Sequence, residues 1–165
     1  MRRVWGRLIV CALAATAAAM APGAAAQGAA SGSFPTLPAT INGLSVTAED
    51  IGKARAAASG TQYLADVRLV SLRDPDKQLE ATLELGLFGA NADVGSSDFQ
   101  RSVAEQIGDG VAVTVQVGGR PVFVKTSRKL SILVWFTGTT LSVLSVRDTY
   151  PSPKALLRAT LAITG

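Results

Sequence analysis

Residues 130–146, LSILVWFTGTTLSVLSV, decide the fold of this chain. Successive side chains of a strand point to opposite faces, so Ile132 and Val134 share one face while Leu133 and Trp135 share the other. Thr137-Gly138 separates this run from a second one that is also apolar on both faces. The pattern predicts two central strands of an antiparallel sheet, joined by a tight turn and needing cover on both sides.

Further strands are predicted on either side of this pair. Apolar residues alternate with polar ones over 65–69 and again over 80–87, and Asp74 to Lys77 form a turn between the two runs. A third hairpin is predicted where the valines of 111–117 meet Gly118-Gly119 and the chain returns through Val122 to Lys125. The sequence therefore predicts about six strands.

Three segments carry helix signals. Thr47 followed by Glu49 and Asp50 predicts a helix to about residue 58. Ser97 with Gln100 forms a capping-box pattern that opens a helix ending near Gly108. Ser152 with Pro153 opens a terminal helix through about residue 163. The predicted class is α+β: an antiparallel sheet with two or three helices mainly on one face, in two layers.

The N-terminus has the pattern of an export signal. Arg2, Arg3 and Arg7 precede an alanine-rich apolar run that ends in small residues, which predicts a signal peptide over 1–26 with cleavage after Ala26. Pro22-Gly23 interrupts the run well short of the roughly 20 residues that span a bilayer, so no stable membrane span is expected after cleavage. The predicted location is secreted or extracytoplasmic, with free secretion and envelope retention both open.

The rest of the chain suits a single domain. Removing 26 of the 165 residues leaves 139, of which 27–40 have the composition of a flexible lead-in and 41–165 of one α+β domain. Three of the 16 basic residues leave with the signal, so 13 remain against 12 acidic ones, and no nucleic-acid partner is expected. Cys11 lies within the signal, so the mature chain forms no internal disulfide.

Several kinds of catalysis are excluded by composition. The chain has no histidine, so catalytic triads that need one, and the commonest zinc ligand, are absent. Asp66, Glu80 and Glu84 fall on predicted solvent faces of strands. We expect a non-catalytic protein without cofactor or metal, with a small envelope hydrolase using carboxylates, or Ser127 with Lys129, as the less favoured alternative.

Three segments together resemble a known group of proteins: KQLEATLELGLF (77–88), DFQRSVAEQIG (98–108) and ILVWFTGTTLSVLSVRDTYPSPKALLRA (132–159). They are similar to small uncharacterised exported proteins of actinobacteria, and the likeness runs over about Leu64 to Leu161. The resemblance implies an envelope or extracellular setting and transfers no catalytic or binding residues.

The second apolar face of the central strand pair is the predicted functional surface. We expect an envelope protein or an apolar small molecule to bind there, at Leu133, Trp135, Leu144, Val146 and Tyr63. A structural alternative is that the N-terminal helix covers this face. A further alternative is a self-associating structural protein whose sheet edges near Val122 to Lys125 pair between copies.

Overall fold

A computed structural model describes residues 32–59, 64–90, 92–108, 111–126 and 129–165. The predicted signal peptide lies outside these ranges, as does Tyr63. Within them, no helix is long and apolar enough to cross a membrane.

The described residues form one antiparallel sheet of eight strands, and with its helices the chain is α+β as predicted. The predicted number of about six strands was too low. The strands are β1 (Thr40–Ile41), β2 (Leu44–Ala48), β3 (Leu64–Arg73), β4 (Leu79–Phe88), β5 (Val113–Val117), β6 (Arg120–Thr126), β7 (Leu130–Thr137) and β8 (Thr140–Arg147). The two additional strands are β1 and β2. Asn42 and Gly43 have φ angles of 49° and 79°, which suit the two-residue turn between them.

Strand order explains how the sheet is assembled. The order β1-β2-β3-β4-β8-β7-β6-β5 consists of two four-stranded meanders that meet where β4 pairs with β8. Leu83 lies opposite Leu144 at this junction, and Trp135 lies opposite Ser142 in the neighbouring pair. The three predicted hairpins, at 74–77, 118–119 and 137–138, are all present.

Within the described ranges three helices accompany the sheet: α1 (Gly52–Ser59), α2 (Ser97–Gln106) and α3 (Pro153–Thr164). The predicted capping box of α2 is wrong by one residue. Ser96 is the N-cap, and its side chain accepts a hydrogen bond from the Phe99 amide at 3.3 Å. Gln100 donates to the Val94 carbonyl instead of returning to the cap residue.

The helices lie on both faces of the sheet, so the prediction of two layers with helices mainly on one face is wrong. Val103 and Ala104 of α2 pack with Val134 and Val143 on one face, which we call the α2 face. On the opposite, α3 face, the helix α3 packs with Trp135 and its neighbours. The physical reason is in the central strands: side chains on both faces of β7 and β8 are apolar, and each face needs its own cover.

Candidate functional site

The predicted binding residues lie together on the α3 face, but they are buried. Leu133 is 8% exposed, and Trp135, Leu144 and Val146 are fully buried. The cover is supplied by three leucines of the terminal helix: Leu156, Leu157 and Leu161. The C-terminal helix, not the N-terminal one, therefore covers this face, and no open apolar surface remains around these four residues.

Trp135 is fixed in this layer by its polar end as well as its ring. The indole Nε1 donates to Thr164 Oγ1 at 3.2 Å, and the Thr164 hydroxyl donates in turn to the Thr160 carbonyl at 3.0 Å. A buried indole N–H needs such a partner, because leaving it unpaired costs about 1 to 3 kcal/mol. The arrangement is that of a core residue.

The outer part of the α3 face is covered by residues from the predicted lead-in. Phe34 and Leu37 pack against the same core cluster, and the Phe34 ring lies 5.7 Å from the guanidinium carbon of Arg68. Asn42 donates to the Tyr150 hydroxyl at 2.9 Å across the end of this layer. The hydrogen bond ties the β1–β2 hairpin to the segment that precedes α3, and the Phe34 contact ties the lead-in to β3.

On the α2 face, the structure places a carboxyl group where the sequence predicted a solvent position. Glu84 is 2% exposed, between Leu69 on β3 and Val143 on β8. Within the described chain neither of its carboxylate oxygens has a hydrogen-bond partner, and the same holds for the nearby Ser145 hydroxyl. Burial raises the pKa of Glu84 to about 8, because desolvation penalises the charged form. The side chain is therefore protonated at neutral pH.

Glu84 is not positioned to act as a general acid. A general acid has to reach its substrate, whereas the side chain of Glu84 is buried. Asp66 is engaged elsewhere: Arg55 Nε donates to its Oδ1 at 2.6 Å and holds its pKa below the usual range. Ser127 lies outside the described residues. Within the described ranges no three metal-ligating side chains come together.

Lys125 also differs from its predicted setting. Its strand, β6, lies between β5 and β7 and is not an edge. The side chain is 2% exposed, and its Nζ donates to the carbonyls of Glu105, Ile107 and Gly108 at 2.6, 2.9 and 3.1 Å. A cation at the carboxyl end of a helix satisfies carbonyls that have no intrahelical partner. Lys125 thus holds the end of α2 on the sheet.

Among the described residues, the open part of the sheet is its outermost strand, β5, which pairs with β6 on one side and with no described strand on the other. Val111, Val113 and Val115 are 83%, 60% and 38% exposed, and they are the exposed large hydrophobic residues of the described chain. The strand VTVQV carries no charge, no proline and no bulge. Charged residues, prolines and bulges are the devices by which natural sheets protect an edge from pairing with other chains.

The hairpin geometry shows which backbone groups of β5 point outward. Gly118 and Gly119 have φ angles of 59° and 80°, as a two-residue primed turn requires, and Val117 lies opposite Arg120. The residues that flank such a turn form a hydrogen-bonded pair, and bonded pairs alternate along the ladder. The backbone N–H and C=O groups at alternate positions of β5 therefore point toward β6, namely those of Val113, Val115 and Val117. Those of Thr114 and Gln116 face away from the sheet.

The strand itself was predicted, but not its place at the edge. The sequence analysis placed a pairing edge near Val122 to Lys125 instead, a segment that lies in β6, between β5 and β7. The useful signal was the lack of charge in VTVQV, which is unusual for a solvent-exposed strand.

Comparison with protein-family models, with curated proteins and with solved structures finds no match to this chain.

Proposed function

We propose that this chain is an exported, non-catalytic interaction module of the cell envelope or extracellular space, and that it binds its partner at the β5 edge. The observation that carries the proposal is the outer edge of β5, which no described strand pairs and which has uncharged residues and exposed valines. The export part rests on the pattern of residues 1–26 and on the resemblance to exported actinobacterial proteins.

Strand addition is the binding mode that this edge suits. An added strand would receive hydrogen bonds from the outward amides of Thr114 and Gln116 and donate to their carbonyls. Its side chains would meet Val113 and Val115 on the α3 face, which are 60% and 38% exposed. Main-chain bonds supply affinity, and burial of the valines adds about 25 cal/mol per Å² of apolar surface removed from water.

Site-specific photo-crosslinking in the producing cells tests this function. A photoreactive phenylalanine analogue replaces Gln116 in one strain and the exposed Lys154 of α3 in a matched control. We expect a covalent polypeptide adduct from position 116 and none from position 154. Adding Thr114→Pro removes one outward N–H and should reduce the adduct about tenfold. No adduct at 116, or an adduct that Thr114→Pro leaves unchanged, would overturn the proposal.

A further inference from the structure

The sequence of β5 suits one particular occupant of its edge. VTVQV reads almost the same in both directions, with valines at the first, third and fifth positions. Antiparallel pairing with an identical strand, about a two-fold axis at Val115, would place valine against valine three times. No charge would face a like charge across the five residues, so self-pairing meets no electrostatic penalty.

We infer that β5 pairs antiparallel with β5 of a second copy of this chain, joining two eight-stranded sheets into one. This inference rests on the proposed function and names its partner. Thr114 would lie opposite the partner's Gln116, and Val115 opposite the partner's Val115. This register pairs all five residues of the strand, and shifting it leaves some of them unpaired.

The outward backbone groups fit this register. Thr114 and the partner's Gln116 would exchange two N–H···O bonds, and the symmetry axis repeats the exchange, which gives four. Val115 then occupies a non-bonded pair, where side chains approach most closely. The two-fold axis is perpendicular to the sheet, so the valines of both copies stay on the α3 face and bury one another.

The other sheet edge does not offer the same surface. β1 is two residues long, and its Ile41 and the facing Leu44 are 2% and 4% exposed. The geometry therefore predicts a closed dimer in place of a fibre, because one two-fold contact occupies the single open edge of each copy. The short strand and small patch suit a weak association, with a dissociation constant of about 1 to 100 μM.

A charge-swap experiment tests this pairing on the exported chain purified from culture medium. Sedimentation velocity over a concentration series should show the unmodified chain passing from monomer to dimer. Val115→Lys and Val115→Glu should each weaken the dimer at least about tenfold, because like charges then meet across the axis. An equimolar mixture of the two variants should dimerise again, since lysine then faces glutamate. Ala162→Lys, on the exposed side of α3, is the control and should dimerise normally.

Each outcome is decisive. Circular dichroism establishes that the variants fold, which is expected because Val115 is partly exposed. A dimer that persists in Val115→Lys would overturn the inference, as would mixed variants that stay monomeric. A chain that is monomeric at all concentrations while position 116 still crosslinks to another polypeptide overturns the second copy as partner and leaves the proposed function standing. Absence of both dimer and adduct overturns both.

Discussion

At one edge of the sheet β1 is two residues long and its Ile41 is buried, whereas at the other edge β5 is five residues long with Val113 and Val115 exposed. Pro35 and Pro38 precede β1, and the Asn42 side chain ties its turn to Tyr150. β5 has neither proline nor charge. In the part of the chain that the structure describes, the sheet is therefore covered on both faces and closed at the β1 edge, and the β5 edge is left open.

The largest effect on stability is expected at the centre of the sheet, between the two edges. Trp135→Ala should lower the free energy of unfolding by about 4 kcal/mol, because it empties the space beneath α3. Urea denaturation followed by circular dichroism measures this. Trp135→Phe, which keeps most of the ring and loses the bond to Thr164, is the control and should cost much less. A loss near zero for the alanine variant would mean that this face is open and available to a ligand.

Truncating a side chain at the β1 edge should destabilise the protein as much as truncating one in its core. Ile41→Ala should lower the free energy of unfolding by about 3 kcal/mol, because a fully enclosed side chain leaves a cavity when truncated. The same denaturation experiment measures it. A cost below about 0.5 kcal/mol would show that the β1 edge is as exposed in solution as β5, and the contrast between the edges would fail.

The buried acid on the α2 face predicts a pH dependence. Folded Glu84 keeps its proton up to about pH 8, whereas an unfolded glutamate loses it near 4.5, so the folded state binds more protons in between. Stability should therefore be greatest below this window and fall as pH rises, by roughly 2 kcal/mol between about pH 6 and pH 8. Unfolding measured across this range checks the slope.

Glu84→Gln replaces the titrating carboxyl with an uncharged amide and so removes the cause of this fall in stability with pH. The variant should lose the pH dependence and be the more stable protein at alkaline pH. Glu80→Gln makes the same chemical change on the same strand at a half-buried position, and the protein should keep its pH dependence. A wild-type stability that rises with pH through this range would contradict the buried, protonated state of Glu84.

The smallest effect on stability is expected at the β5 edge. Val113→Ala should change the stability of the monomer by less than about 0.5 kcal/mol, because this side chain is already 60% exposed. Measured by urea denaturation at a protein concentration too low for pairing, it is the matched truncation for Ile41→Ala. A cost comparable to that of Ile41→Ala would show that Val113 is buried in solution.

The parts of the fold that follow local patterns could be predicted from the sequence. Alternation over 130–146 and the glycine pair at 118–119 are enough to give the central strands and a hairpin. The faces of the helices could not be predicted, because residues 97–106 and 153–164 each carry an apolar stripe that would fit either side of the sheet. β1 and β2 were missed because a two-residue strand has too little periodicity to detect.

The position of an open apolar surface could not be derived from the sequence. The sequence analysis expected such a surface at Trp135, but strands that are apolar on both faces need cover, and α3 supplies it there. Glu84 alternates with leucines along its strand, which is also the pattern of a solvent-facing residue. Its burial is set by tertiary packing over β4, which no local pattern encodes.

The most direct test of the open edge is hydrogen–deuterium exchange of the amides of Thr114 and Gln116 at low and high protein concentration. These two amides point away from β6, so they should exchange rapidly in the monomer and become protected as the concentration rises. The amides of β1 and β2 should exchange at the same rate in both samples. Exchange at 114 and 116 that does not change with concentration, or protection that develops at β1 instead, would contradict pairing through β5.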